Sequence, residues 1–322
     1  MMKIIQFVLK SQIKSSKVRQ KPSGFTLVEL LVALVIASLI ITPLLGFMVN
    51  VLTTDSREQA KANSEEEIQN ALNYISRDME QAVYIYDADG LEAIKSELLY
   101  PGDAGKSPIL VFWKRELVPK VITAFDGSAD DAFVYSLVAY YLIKDATPSA
   151  TWSKAARIAR WQIKDGVRAS TGGVTCPGYS ADLKYVNSTN CPDPGFLPFK
   201  ETGNLTEGMK AWKKNAGVAY TNPSNVLIDY VDQTQNPPGL NATCPPNSTD
   251  PQITWSAVTP ANNITGFYAC VDTANTTAQL LIRGNVLARI QNDVNKINYT
   301  AGNQTYFPTT SVRVKGRGFL VR

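Results

Sequence analysis

The sequence predicts an α+β protein: a long N-terminal helix, apolar in its first half and amphipathic in its second, packed on an antiparallel β-sheet head that carries a disulfide-stapled, loop-rich insertion. Three observations lead there. Leu30 to Leu52 is free of charge over 23 residues. Ile68, Ala71, Leu72, Ile75, Met79, Ala82 and Val83 then recur at three- and four-residue steps. Beyond Gly90, short strand-like runs alternate with stretches rich in Pro, Gly, Asn, Ser and Thr.

The first 24 residues read as a cytoplasmic leader. Lys3, Lys10, Lys14, Lys17, Arg19 and Lys21 are its only charges, and positive charge beside an apolar run stays on the cytoplasmic side. They account for the net charge of +4: of 32 basic residues six lie here, leaving 26 against 28 acidic ones, or −2. That balance removes any expectation of a nucleic-acid partner.

Residues 25–52 are expected to cross the membrane. As a helix, the uncharged run reaches about 34 Å at ~1.5 Å per residue, enough for a bilayer. An ordinary secretory signal has a shorter apolar region and a small residue after it, whereas here Gly24 precedes the run. Pro43 and Gly46 are the expected sites of kinking or local unwinding. Residues 53–86 continue as an amphipathic helix whose polar face carries Glu65, Glu66, Gln69, Asn73, Arg77, Asp78 and Glu80.

Residues 87–322 form the head. Strands are expected at Ile109–Trp113, Phe133–Ile143, Arg157–Ile163, Phe267–Asp272, Gln279–Arg283 and Ser311–Lys315, with a turn after Lys164. The span from about 170 to 262 reads as the insertion and holds Cys176, Cys191 and Cys244, with Cys270 just beyond it. No two cysteines have metal-binding spacing, so the four are disulfide candidates in an oxidising compartment. Of three possible connectivities, 176 with 191 and 244 with 270 is the most local.

There is no histidine. Ser–His and Cys–His catalysis is thereby excluded, and no nucleophile clusters with another base, so the chain is not expected to be an enzyme. No metal or cofactor is expected; Asp130-Asp131 and Asp229-Tyr-Val-Asp232 lack the ligand density of a calcium loop. Lys210-Ala-Trp-Lys-Lys214 reads as solvated surface, and Gly105-Lys-Ser107 lacks the first glycine of a phosphate loop. Eight N-x-[ST] sequons, at Asn187, Asn204, Asn241, Asn247, Asn263, Asn275, Asn298 and Asn303, read as Asn/Thr-rich loops.

The segment Lys21-Pro-Ser-Gly-Phe-Thr-Leu-Val-Glu-Leu-Leu31 resembles the class III signal of type IV pilins and type II secretion pseudopilins. The resemblance implies cleavage between Gly24 and Phe25 by a prepilin peptidase, N-methylation of Phe25, and a role for Glu29 in assembly. A carboxylate at the edge of an apolar helix is costly, so it needs a partner. Cleavage supplies one, the new α-amine at Phe25, and the family's contact from Glu29 to a neighbouring subunit's amine neutralises both charges.

Ile41–Asn50, Arg57–Asn63 and Gln81–Asp87 are similar to the pseudopilins of the cyanobacterial hormogonium polysaccharide secretion system, as are Gly266–Asp272 and Leu281–Asn285. The resemblance implies a pilin-type fold and a minor pseudopilin for exporting polysaccharide that supports gliding motility. Its partners would be other pilins through the N-terminal helix, an inner-membrane assembly platform and the exported polysaccharide. The anchor would be single-pass in the inner membrane, with the head in the periplasm or on a surface pseudopilus. Two other readings are a minor type IV pilin for twitching or DNA uptake, and a glycan-binding tip adhesin, which exposed aromatics around Trp212 and Trp255 would favour.

Overall fold

The computed structural model describes residues 24–124, 127–147, 149–200, 203–260 and 262–318, so the leader before Gly24 lies outside the described residues. Two compact units divide at Ser56 and Arg57. In the first, helix α1, which runs from Leu27 to Met79, is α-helical through Pro43 and Gly46 without local unwinding. Proline there cannot donate to the carbonyl four residues back. Just before it, the hydroxyls of Ser38 and Thr42 donate to the carbonyls of Val35 and Ser38, both at 2.8 Å.

In the second unit the rest of α1 packs along one stripe. Ala60, Ser64, Ile68, Ala71, Leu72, Ile75, Asp78 and Met79 are buried, the spacing expected of a helix with one face on a sheet. The helix stops at Met79, short of the expected residue 86. Ala82–Ile85, four buried residues, form strand β1 instead. Ala82 and Val83 extend the helical stripe on paper, but a short apolar run rich in aromatic and β-branched residues fits a buried strand equally well, and pairing with a neighbouring strand decides it.

After the short helix α2 (Ala88–Ile94), capped by the Asp87 carboxylate on the Gly90 N–H at 2.7 Å, come β2 (Lys106–Thr123), β3 (Ala129–Ile143) and β4 (Ala156–Lys164). With β1 and β5 (Asn225–Val231) they make a five-stranded antiparallel sheet in the order β1-β2-β3-β4-β5. Strand β5 lies inside the stretch expected to be a loop insertion, which is therefore two excursions from the sheet rather than one. Its Asn225-Val-Leu-Ile-Asp-Tyr-Val231 is a strand-like run, masked in the sequence by the Pro- and Asn-rich flanks.

The first excursion contains helix α3 (Leu205–Lys210); the second contains the two-residue strands β6 (Ser248–Thr249) and β7 (Gln252–Ile253). Strands β8 (Ser256–Val258), β9 (Phe267–Asp272), β10 (Thr277–Arg283) and β11 (Thr309–Lys315) form a second antiparallel sheet in the order β11-β10-β9-β8. A bridge from Val231 to Gly284 joins the sheets. Gly284 sits so close to α1 that a Cβ there would lie 2.6 Å from both Ile68 and Ser64. The short helix α4 (Leu287–Ile290) follows it.

Asp78 was placed by periodicity on the solvated face of α1; the structure buries it. Its carboxylate accepts from Lys114 Nζ at 2.9 Å, Tyr140 Oη at 2.8 Å and Arg160 Nε at 2.7 Å, linking the helix end to β2, β3 and β4. Burial alone would raise its pKa, but the Arg160 and Lys114 charges outweigh burial and hold it below the usual aspartate value. A second buried pair, Asp232 with Arg283 Nε at 2.8 Å, locks the end of β5 to β10, and Thr265 accepts from the same guanidinium at 2.7 Å.

The structure joins Cys176 to Cys191 and Cys244 to Cys270. The first closes a turn within one excursion, and the second ties the other excursion to β9.

Candidate functional site

The motif residues Gly24, Phe25 and Thr26 precede the helix in non-helical backbone. Thr26 caps it: the Glu29 N–H reaches Thr26 Oγ1 at 3.3 Å and its carbonyl at 3.1 Å, and the Leu30 N–H reaches the same carbonyl at 3.2 Å. A threonine satisfying free N–H groups of the first turn is a preferred helix start. Glu29 falls in that first turn, where the positive end of the helix dipole favours a carboxylate.

Among the described residues a Cβ at Gly24 would meet nothing within 4 Å, and Phe25 is 77% exposed. From Phe25 to Leu52 the large apolar side chains are all exposed, and the most apolar 18-residue window of α1 is 0% buried. In water such a surface is unfavourable at about 25 cal/mol per Å2, so it requires lipid or other helices. Among the described residues, Glu29 has no ion-pair partner.

The other sequence candidates are scattered over the head. Trp212 is buried; its indole N–H donates to the Leu197 carbonyl at 2.8 Å, and its ring packs edge-on to Trp113 at 5.6 Å. It offers no exposed aromatic platform, which removes half of the adhesin argument. Trp255 is half-buried under Arg313, at 5.0 Å. Asp229 is occupied by the Ser153 N–H and hydroxyl at 2.8 and 2.7 Å, and Asp232 by Arg283. Asp131 accepts from the Lys120 N–H at 2.8 Å. These aspartates serve the fold as hydrogen-bond acceptors. The sequon residues Asn187 and Asn204 cap a 3-10 turn and α3.

Sequence reasoning missed the four lysines Lys95, Lys106, Lys144 and Lys154. They lie far apart in the chain and come together only where β2 begins, β3 ends and β4 begins.

Residues 19–45 match the prokaryotic N-terminal methylation motif. No curated protein and no solved structure matches this chain. The matched segment contains Gly24, Phe25 and Glu29 together with the start of the exposed apolar helix, which fits a single-pass membrane anchor. With that motif on that helix, the chain carries the N-terminal signature of a type IV pilin-like protein.

Proposed function

We propose that the chain is a minor pseudopilin, a structural subunit of a type II secretion-like or type IV pilus-like apparatus, serving the export of polysaccharide that supports gliding motility. The observation that supports the subunit role is the capped start of α1 with Glu29 in its first turn, followed by a run of exposed large apolar side chains. The polysaccharide and gliding parts rest on the sequence resemblance alone.

Prepilin peptidase cuts after Gly24 and leaves an amine at Phe25, which is methylated. In the membrane the apolar helix waits as an anchor with the head in the periplasm. In the filament the same surface packs against equivalent helices, and the Glu29 carboxylate meets a neighbour's N-terminal amine, fixing the stagger between subunits. The driving machinery lies in the assembly platform, and no reaction is assigned to this chain.

N-terminal peptide mass spectrometry on protein from its host membranes tests the reading. A first residue of methylated Phe25 is expected. A mature chain that keeps residues 1–24 would refute it.

A further inference from the structure

Four adjoining depressions, of about 240, 210, 410 and 270 Å3, form one open groove across the end of the five-stranded sheet. The first shares Lys95 with the second, the second shares Lys106 with the third, and the third shares Lys144 with the fourth, which also holds Lys154. Lysines thus recur at each step along the groove.

Its carboxylates are largely neutralised from within. Glu92 pairs with Lys95 at 2.5 Å and Asp103 with Lys106 at 3.0 Å, and Asp145 is held by both terminal nitrogens of Arg157 at 2.6 and 3.0 Å. Lys144 Nζ instead donates to the Lys154 carbonyl at 2.5 Å, and Lys154 Nζ to the Asn292 carbonyl. Carbonyls carry no net charge, so these two ammonium groups leave the groove positive at one end, among the hydroxyls of Thr147 and Ser149.

A string of open depressions of mixed polar and apolar lining suits a repeating chain better than a compact ligand, which takes a single enclosed and mainly apolar pocket. Single-stranded nucleic acid needs free aromatic faces for its bases. The groove's Tyr100 ring is already covered by Lys106 Nζ, 4.3 Å from its centroid, and packs edge-on to Tyr141. We propose that this groove binds a linear acidic polysaccharide, with Lys144 and Lys154 contacting its carboxylates and the loop hydroxyls its sugar oxygens. That such a glycan is the exported one rests on the secretion reading above; the binding itself does not.

The test uses the full chain in detergent micelles, titrated with polygalacturonate, with dextran as the neutral glycan and single-stranded poly(dT) as a polyanion of other chemistry. Saturable binding of polygalacturonate alone is expected. It should weaken at least tenfold in Lys144→Gln/Lys154→Gln, at least threefold in Lys154→Gln, whose exposed side chain leaves folding untouched, and not at all in Lys120→Gln, exposed towards the far end of β2. No polygalacturonate binding, equal binding of poly(dT), or an equal loss in Lys120→Gln and Lys154→Gln would each overturn the proposal. Co-purification with other pilin subunits, measured on the same variants, reports separately on assembly: normal co-purification without glycan binding defeats only the groove, and the reverse defeats only the subunit role.

Discussion

Replacing Asp78 by alanine should cost the head about 3 kcal/mol. Breaking a buried ion pair by removing one partner typically costs about 3–5 kcal/mol, because the remaining charge stays buried and unpaired. Here the Asp78, Lys114 and Arg160 side chains are 8%, 9% and 17% exposed. The low end of the range applies because the orphaned cations keep lesser partners: Arg160 donates to Gln162 at 2.6 Å, and Lys114 lies 3.8 Å from Glu116. At about 2 °C per kcal/mol for a unit of this size, the midpoint should fall by about 6 °C.

All five tryptophans lie in the head, so their fluorescence during urea unfolding in detergent reports that unit alone. A loss below about 1 kcal/mol, the range of exposed ion pairs, would refute the idea that this carboxylate pins the helix end to the sheet. The pH dependence gives a second check. Because the folded pKa of Asp78 lies below its unfolded value, its stabilisation is fully present above about pH 4 and is lost as pH falls through the folded pKa. The alanine variant should therefore lose less stability than wild type on acidification in that window.

Four further outcomes are expected. Glu29→Ala should leave processing intact but reduce incorporation into filaments at least tenfold, scored by co-purification with partner pilins; normal incorporation would remove its role in register. Gly24→Leu should slow cleavage far more than Gly24→Ala in a peptidase gel-shift assay, since the enzyme must approach the backbone there. Gly266→Ala should destabilise by at least about 2 kcal/mol by thermal melting, since its Cβ would lie 2.1 Å from the Asp232 carbonyl oxygen. Replacing Cys244 and Cys270 by serine should cost about 2–5 kcal/mol in urea titration, because the bridge restrains a long loop against a central strand.

The long helix and six strands were legible because each is a run of one periodicity: Leu30–Leu52 has no charge to interrupt it, and Phe267–Asp272 is apolar between turn residues. The end of α1 was not, because Met79, Ala82 and Val83 satisfy a helical stripe until β2 offers pairing. Asp78 was misplaced for a related reason. Sequence spacing sees a charged residue, whereas only the assembled sheet shows Lys114, Tyr140 and Arg160 converging on it from three strands. At the N-terminus the methylation motif was readable because its residues are contiguous in the chain. The lysine groove was invisible, its members being drawn from the 3-10 turn after α2, the start of β2, the residue after β3 and the loop before β4.

The excursion between β4 and β5 also sends Phe196, Phe199 and Trp212 onto Trp113 of β2, with ring centroids 5.8, 5.0 and 5.6 Å away. Tyr86 seals the arrangement, its hydroxyl accepting the Trp113 indole N–H at 2.9 Å and donating to the Met209 carbonyl at 3.1 Å. Trimming this loop to obtain a minimal head would therefore strip one wall from the hydrophobic interior and leave a tryptophan facing water. A peptide tag spliced in beside Gly172, on the exposed outer bend, leaves that wall standing and gives a handle for following the subunit in cells.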